Sequence, residues 1–136
     1  MARLILDTGV LIAAVRARYD LRTAFTDEDD VSLPAVAVAE YLAGVHADHD
    51  PARQAAQRKF LEVVLSQVPV EPYDLDIAEL HAELLAHTRK TGRLRGPHDL
   101  IIAATAIATD RILLTTDEKA EFDLLPGINV RLVTQT

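Results

Sequence analysis

The chain has 136 residues, a length that predicts one domain spanning residues 1–136. A chain of this length can bury a core without the help of disulfides or structural metals. It contains no Cys, which excludes disulfides and thiolate metal sites and fits a reducing compartment such as the cytoplasm. Fourteen Lys and Arg against 21 Asp and Glu give a net charge of −7. This balance argues against a large basic surface for nucleic acid and leaves a surplus of carboxylates to explain.

The hydrophobic pattern predicts short buried strands that alternate with helices. Buried parallel strands appear in a sequence as short apolar runs, whereas helices begin at Asp, Thr or Pro and show apolar residues at helical spacing. The predicted strands are 3–6, 31–33, 68–70, 112–115 and 130–133. The predicted helices are 8–18, 34–43, 51–67, 75–91, 97–109 and a short acidic one at 117–122. This alternation predicts an α/β fold in which a parallel sheet carries helices on both faces.

Four acidic residues lie in or beside apolar segments, where burying an ionised carboxylate costs free energy. Asp7 ends the first strand and Asp117 follows the fourth, so the topology places both at the carboxyl edge of the sheet, where such folds bind ligands. Glu40 and Asp99 lie in helices that are apolar on almost every side, and helices of that kind are expected to be buried. Buried carboxylates are rare unless they are paired or bind metal.

Each acid taken alone also has a structural explanation. Asp99 in a first helical turn gains from the helix dipole, and Asp117 could cap a helix. Asp7 could be a turn residue, and Glu40 could pair with an arginine. None of these explanations requires the four acids to meet. If they do meet, their mutual repulsion favours a divalent cation with oxygen ligands, Mg²⁺ or Mn²⁺.

Several segments together resemble a PIN domain of the VapC type, the toxin of a bacterial type II toxin–antitoxin system. They are Leu6-Asp7-Thr8, Glu40 within 38–44, Asp99 within 99–104, and Thr115-Thr116-Asp117 followed by Phe122 and 125–128. The resemblance covers essentially the whole chain, in order and spacing. It implies a PIN-like three-layer α/β/α fold with a central short-stranded parallel sheet and a single nuclease domain over 1–136. It also implies a Mg²⁺-dependent endoribonuclease, homodimerisation and a small antitoxin that blocks the site and binds DNA, so that the toxin meets DNA only indirectly.

Carried over residue by residue, the resemblance makes Asp7, Glu40, Asp99 and Asp117 the metal-binding and catalytic acids. We expect Asp7 and Asp99 to hold the principal ion and Asp117 to complete its shell. Glu40 would orient the attacking water or help a second ion. The resemblance implies in-line cleavage that leaves a 5′-phosphate.

Four further residues lie in or near these motifs. Thr116 matches the hydroxyl residue that often precedes the fourth acid, and we assign it to substrate binding. His98 departs from the pattern, and the sequence does not show whether it faces the site. Glu118 and Asp123 are further acids near the fourth position.

The substrate must approach this acidic centre past basic residues. Arg93 and Arg95, in the basic loop 89–95, are the candidates for phosphate contact, and Arg16, Arg18 and Arg22 form a second cluster. Basic residues after a helix also fit the helix dipole and a solvated surface.

Other families match less of the chain. Asp7-Thr8-Gly9 also fits the turn of aspartic proteases, but those are β-rich dimers. A phospho-receiver domain would need a late Lys and an acceptor Asp after a central strand, and neither is evident. A haloacid-dehalogenase phosphatase would need Asp-x-Asp, and residue 9 is Gly. The main non-enzymatic alternative is a catalytically silent PIN-like domain that only binds a partner, against which the complete set of four acids argues.

Overall fold

A five-stranded, all-parallel sheet with strand order β3-β2-β1-β4-β5 forms the centre of the molecule. The computed structural model describes residues 1–93 and 95–134. The strands are β1 (Arg3–Leu6), β2 (Asp30–Pro34), β3 (Val70–Glu71), β4 (Ile112–Thr115) and β5 (Val130–Leu132). The α-helices are α1 (Thr8–Val15), α2 (Ala35–Ala47), α3 (Pro51–Leu65), α4 (Leu75–Thr91) and α5 (Pro97–Ala108). Short 3₁₀ helices occupy Leu21–Thr23 and Phe122–Leu124.

The two faces of the sheet carry different helices. Leu4 and Leu6 of β1 point to a core that they share with Tyr41 and Val45 of α2 and with residues of α3. Ile5, between them, points to the opposite core with α4 and α5. Successive strand residues face opposite sides, so a strand buried on both faces must be apolar throughout. The predicted three-layer α/β/α fold is confirmed, and an all-parallel sheet excludes the β-rich aspartic protease alternative.

Several predicted bounds were wrong: α1 ends at Val15 rather than at residue 18, and β3 begins at Val70 rather than at residue 68. Two further elements also differ from their predictions. Helix α2 does not end at Gly44 but continues to Ala47, because Val45 in its last turn is buried in the core and holds the helix past the glycine. The acidic helix predicted at 117–122 is absent: Glu121 takes a left-handed φ of 49°, and only a 3₁₀ turn follows. Within the predicted basic loop, Leu94 lies outside the described residues.

Arg111 is a buried cation at the amino edge of the sheet, opposite the four acids. Its guanidinium lies 3.0 Å from a carboxylate oxygen of Asp30 and 3.4 Å from one of Glu71. It also donates to the main-chain oxygen of Leu4. This one side chain therefore ties β1, β2 and β3 to the start of β4, and the sequence pattern did not single it out.

Among the described helices, none combines the length and the apolar character that crossing a membrane requires.

Replacing Leu113 tests how much the buried core contributes to the stability of the protein. Its side chain is fully buried in β4, so Leu113→Ala should lower the free energy of unfolding by roughly 2–5 kcal/mol. Leu75→Ala is the matched control, because Leu75 is 88% exposed and surface truncations change stability by about 0.5 kcal/mol or less. Urea denaturation of both variants measures the difference, and equal effects would contradict the core assignment.

Candidate active site

Four separate elements bring the four acids to the carboxyl edge of the sheet. Asp7 directly follows β1, and Asp117 comes two residues after the neighbouring strand β4. Glu40 lies in α2, which continues from β2 on the other side of β1. Asp99 lies in the first turn of α5. The carboxyl ends of parallel strands share one edge, so the fold gathers side chains that are far apart in sequence.

Asp7 is the most buried of the four, with 6% of its surface exposed. The main-chain N–H of Thr8 donates to its Oδ1 at 2.7 Å, and the Thr115 hydroxyl donates to its Oδ2 at 2.7 Å. Burial raises the pKa of Asp7 to about 6, and the charges of Asp99 and Glu40 push in the same direction against these two hydrogen bonds. The two hydrogen bonds therefore hold the Asp7 carboxylate in place, but they do not fully offset the cost of burying its charge.

Glu40 is held by two residues. The Thr8 hydroxyl donates to Oε1 at 3.0 Å, and Nδ1 of His98 lies 3.3 Å from Oε2. His98 therefore does face the site. The expectation that α2 is buried on nearly all sides was wrong: Ala39 and Ala43 are exposed, because small side chains on that side meet no covering element. This open side leaves the Glu40 side chain 32% exposed and accessible.

Asp99 and Asp117 form the outer part of the site. The pKa of Asp99 is raised, first by burial and then by the charges of Asp117 and Glu40, while Arg95 and His98 oppose the rise. Asp117 is exposed. Its own N–H donates to the Thr115 hydroxyl at 3.0 Å, and its Oδ1 accepts the N–H of Ala120 at 3.1 Å. Asp117 therefore caps a turn and also faces Asp99.

Two glycines permit the close packing of this edge. A Cβ at Gly9 would lie 2.6 Å from the Thr116 hydroxyl oxygen, a distance that real contacts do not reach. Thr116 can therefore pack against the start of α1 only because residue 9 is Gly. A Cβ at Gly96 would lie 3.1 Å from Oδ2 of Asp99, so Gly96 also leaves room for a functional carboxylate.

The donor set fits a hard divalent cation. Its candidate ligands are carboxylate oxygens. The pKa values of Asp7 and Asp99 are raised first by burial and then by the charges of neighbouring acids, and a cation would relieve that repulsion. In the part of the chain that the structure describes, no three His, Asp or Glu side chains form a ready-made metal cage. An ion bound here would use a few carboxylates and keep several waters, as Mg²⁺ commonly does.

The basic loop reaches the site, but its two candidate arginines, Arg93 and Arg95, are already engaged. Arg93 pairs with Glu121 at 2.7 Å. Arg95 donates to the main-chain oxygens of Ala120 and Glu121, which ties the loop before α5 to the segment after Asp117. Lys119 lies beside these two arginines, and the sequence did not single it out as a candidate for phosphate contact. Of the second basic cluster, Arg22 pairs with Asp20 at 2.9 Å.

A cavity of about 250 Å³ opens beside the outer acids. We call it the Asp99 cavity, and its walls include Arg93, Arg95, Gly96, Asp99, Asp117 and Lys119. Three of these side chains are cations, so this side of the site is suited to an anionic group.

A parallel sheet with helices on both faces and four acids at its carboxyl edge defines the PIN class of nucleases. The family model described as PIN domain matches residues 4–126, and the chain belongs to the PIN-domain family. Within that family its similarity is to the VapC group.

One similar protein is Ribonuclease VapC of Rickettsia bellii, which is 29% identical over 130 residues and matches 96% of each chain. A crystal structure of a VapBC toxin–antitoxin family member, VapBC-5 of Mycobacterium tuberculosis, aligns with a TM-score of 0.77 at 28% identity. It covers 98% of this chain and 99% of that one. VapBC2 of Rickettsia felis, bound to promoter DNA, aligns with a TM-score of 0.86 at 21% identity and covers 96% of this chain and 98% of that one. The last comparison supports the fold.

The pKa of Asp7 predicts a pH-dependent stability in metal-free protein. The pKa of Asp7 is about 6 in the folded state, above the usual 3.8. Its ionisation therefore lowers the stability of the fold progressively between pH 3.8 and pH 6, and the loss is complete above pH 6. Asp7→Asn should therefore raise the free energy of unfolding at pH 8 by up to about 3 kcal/mol, and by much less at pH 4.

Urea denaturation in EDTA at the two pH values measures this difference. Asp123→Asn is the control, because Asp123 is exposed and its neutralisation should change stability little at either pH. An equal gain for Asp7→Asn at pH 4 and pH 8 would contradict the prediction.

Proposed function

We propose that this protein is an endoribonuclease of the VapC type, the toxin of a toxin–antitoxin pair, with Mg²⁺ as its cofactor and Mn²⁺ as a possible substitute. The observation that carries the proposal is the meeting of Asp7, Glu40, Asp99 and Asp117 at one sheet edge, with the innermost carboxylate buried. We further propose that residues 1–136 form one nuclease domain, which acts in the cytoplasm.

The proposed partners follow from the family and its neighbours. The VapBC structure from Mycobacterium tuberculosis belongs to a toxin–antitoxin family, which supports a small cognate antitoxin for this chain. We infer that the protein is a homodimer and that it meets DNA only through the antitoxin.

In the proposed reaction, RNA phosphodiester bonds are hydrolysed through the acidic site. Divalent ions, when bound, neutralise charge on the phosphate and lower the pKa of the attacking water. Asp7 and Asp99 would hold the principal ion, and Asp117 would complete the set of ligands. Oε2 of Glu40 would orient the attacking water and accept its proton, because Thr8 and His98 fix this carboxylate at the open side of the site.

The substrate backbone would lie along the Asp99 cavity. Arg93, Arg95 and Lys119 line it, and their charges attract phosphate toward a site that otherwise repels it. Thr116, packed against the start of α1, would contribute a hydroxyl to the same path. Glu118 and Asp123 are both exposed, and we assign them no role in holding metal.

Loss of a single metal-binding acid should abolish cleavage without unfolding the protein. Asp7→Asn and Asp99→Asn should each lower the rate of RNA cleavage in Mg²⁺ by roughly a hundredfold or more, since even indirect metal contacts are worth 10–100-fold. Asp76→Asn, an exposed acid in the first turn of α4, should retain the wild-type rate. Full activity of both site variants would defeat the proposal.

Calorimetry separates the enzyme from the catalytically silent alternative. The wild-type protein should bind Mg²⁺ or Mn²⁺, and Asp99→Asn should weaken that binding by at least tenfold. A domain that only binds a partner has no use for a divalent ion, so the absence of metal binding together with the absence of cleavage would favour it.

Phosphate contact in the Asp99 cavity should appear in the salt dependence of RNA binding. In EDTA, where no cleavage occurs, Lys119→Gln and Arg93→Gln should each reduce the slope of log K against log salt by roughly 0.7, the value for one phosphate of a single strand. Arg22→Gln is the matched control, because Arg22 pairs with Asp20 away from this cavity. Unchanged slopes in both cavity variants would place the RNA backbone elsewhere.

A further inference from the structure

A second cavity of about 240 Å³ shares no wall residue with the Asp99 cavity. We call it the Glu40 cavity. Helices α1, α2 and α3 enclose it, and its walls include Ile12, Val15, Arg16, Glu40, Gly44 and Gln57. The Tyr41 hydroxyl donates to the main-chain oxygen of Gln57 at 2.7 Å and fixes α2 against α3 behind it. Because Glu40 is one of its walls, the cavity borders the proposed active site.

The charges of the two cavities differ. The Asp99 cavity has two carboxylates and three cations, of which Arg93 is paired with Glu121. The Glu40 cavity has one cation, Arg16, and the carboxylates of Glu40 and Asp48, of which Asp48 is paired with Arg53 at 2.8 Å. A phosphate group would therefore meet three cations in the first cavity and only one, which shares its cavity with Glu40, in the second. The Glu40 cavity fits a neutral group of the same substrate chain.

The walls of the Glu40 cavity suit a flat, partly apolar ring. Ile12, Val15 and Val45 supply apolar surface, and the exposed Arg16 lies at the end of α1. Proteins that bind single-stranded RNA place unstacked bases against apolar side chains and the planes of arginine guanidinium groups. A nucleobase has this shape and this chemistry.

One polar group in the described wall of the cavity is a hydrogen-bond acceptor without a partner. Oε1 of Gln57 is buried and has no hydrogen-bond partner among the described residues, while its Nε2 donates to Asp48 at 3.2 Å. An unpartnered buried acceptor is unfavourable, and a small rotation of the Gln57 side chain would let an entering donor relieve it. Adenine, cytosine and guanine each carry an exocyclic amino group that donates. Uracil donates only from its ring N3–H, which lies between two carbonyl oxygens that the nearby Glu40 carboxylate would repel.

We propose that the Glu40 cavity binds the base of a nucleotide next to the scissile phosphate and favours a base with an exocyclic amino group. This inference rests on the proposed ribonuclease function and deepens it, because it places sequence preference in a pocket outside the metal site. Gln57 and Arg16 are the residues that determine it.

Gly44 allows the cavity to be filled without disturbing the fold. A Cβ at Gly44 meets no atom within 4 Å, and Leu favours a helix more than Gly does. Gly44→Leu should therefore fold and place a side chain where the base would lie. Ala55→Leu is the matched control, since Ala55 is exposed on α3 and does not line the cavity.

The experiment uses the full-length protein in Mg²⁺ with a randomised single-stranded RNA pool, and the cleavage ends are sequenced. The wild-type protein should prefer A, C or G over U at one position beside the cut. Gly44→Leu should remove that preference and lower kcat/KM by roughly tenfold, the order expected from losing one bound base. Ala55→Leu should keep both the preference and the rate, and thermal denaturation should show all three proteins folded.

Gln57→Leu provides a second, independent variant, because it removes the acceptor and keeps the approximate size of the side chain. It should reduce the discrimination between C and U at the same position while cleavage itself continues. A wild-type profile in both Gly44→Leu and Gln57→Leu would overturn the base site. So would a rate loss that affects all four bases equally, or weakened antitoxin binding with an unchanged profile, which would make the cavity a protein-docking site. Failure of the wild-type protein to cleave any RNA would instead contradict the ribonuclease proposal itself, and the base site with it.

Discussion

The burial of the Asp7 carboxylate is the constraint that shapes the whole site. An ionised carboxylate removed from water is costly, and this one faces two further acids. The Thr8 N–H and the Thr115 hydroxyl fix its orientation but only partly offset the cost, so its pKa stays raised. A buried carboxylate that is rigidly held and poorly compensated is well suited to receive a divalent cation.

The surroundings of the acids divide the site into two unlike halves. On one side, Arg95 ties the loop before α5 to the segment after Asp117, and Arg93 and Lys119 add positive charge. Glu40, in contrast, borders a cavity with one cation and with an unpartnered acceptor on its described wall. An RNA strand crossing the acids would meet cations that suit its phosphates and then a pocket that suits a base. The local positive charge on one side of the site explains how a protein with a net charge of −7 could bind an anionic substrate.

Local sequence signals were enough to predict the fold class and the bounds of the strongest elements. The run Arg3–Leu6 is apolar enough to be a buried strand, and Asp50-Pro51 is a strong start signal for α3, so both were predicted as they are observed. Signals of this kind depend on neighbouring residues only. The four candidate acids could also be identified from the sequence, because a carboxylate within an apolar segment stands out from its neighbours. Thr8 and Thr115 lie in the same segments, but the sequence did not predict that their side chains would hydrogen-bond to Glu40 and Asp7.

The contacts between side chains, in contrast, follow from the tertiary structure alone. Helix α2 passes through Gly44 because Val45 reaches the core, and no local rule contains that information. The sequence did not show where His98 points, and the fold places it 3.3 Å from Glu40. Arg93 is bound to Glu121, and Arg95 is bound to main-chain oxygens. Both cavities form between elements that are distant along the chain. Contacts of this kind depend on packing across the sheet, where distance along the chain no longer predicts distance in space.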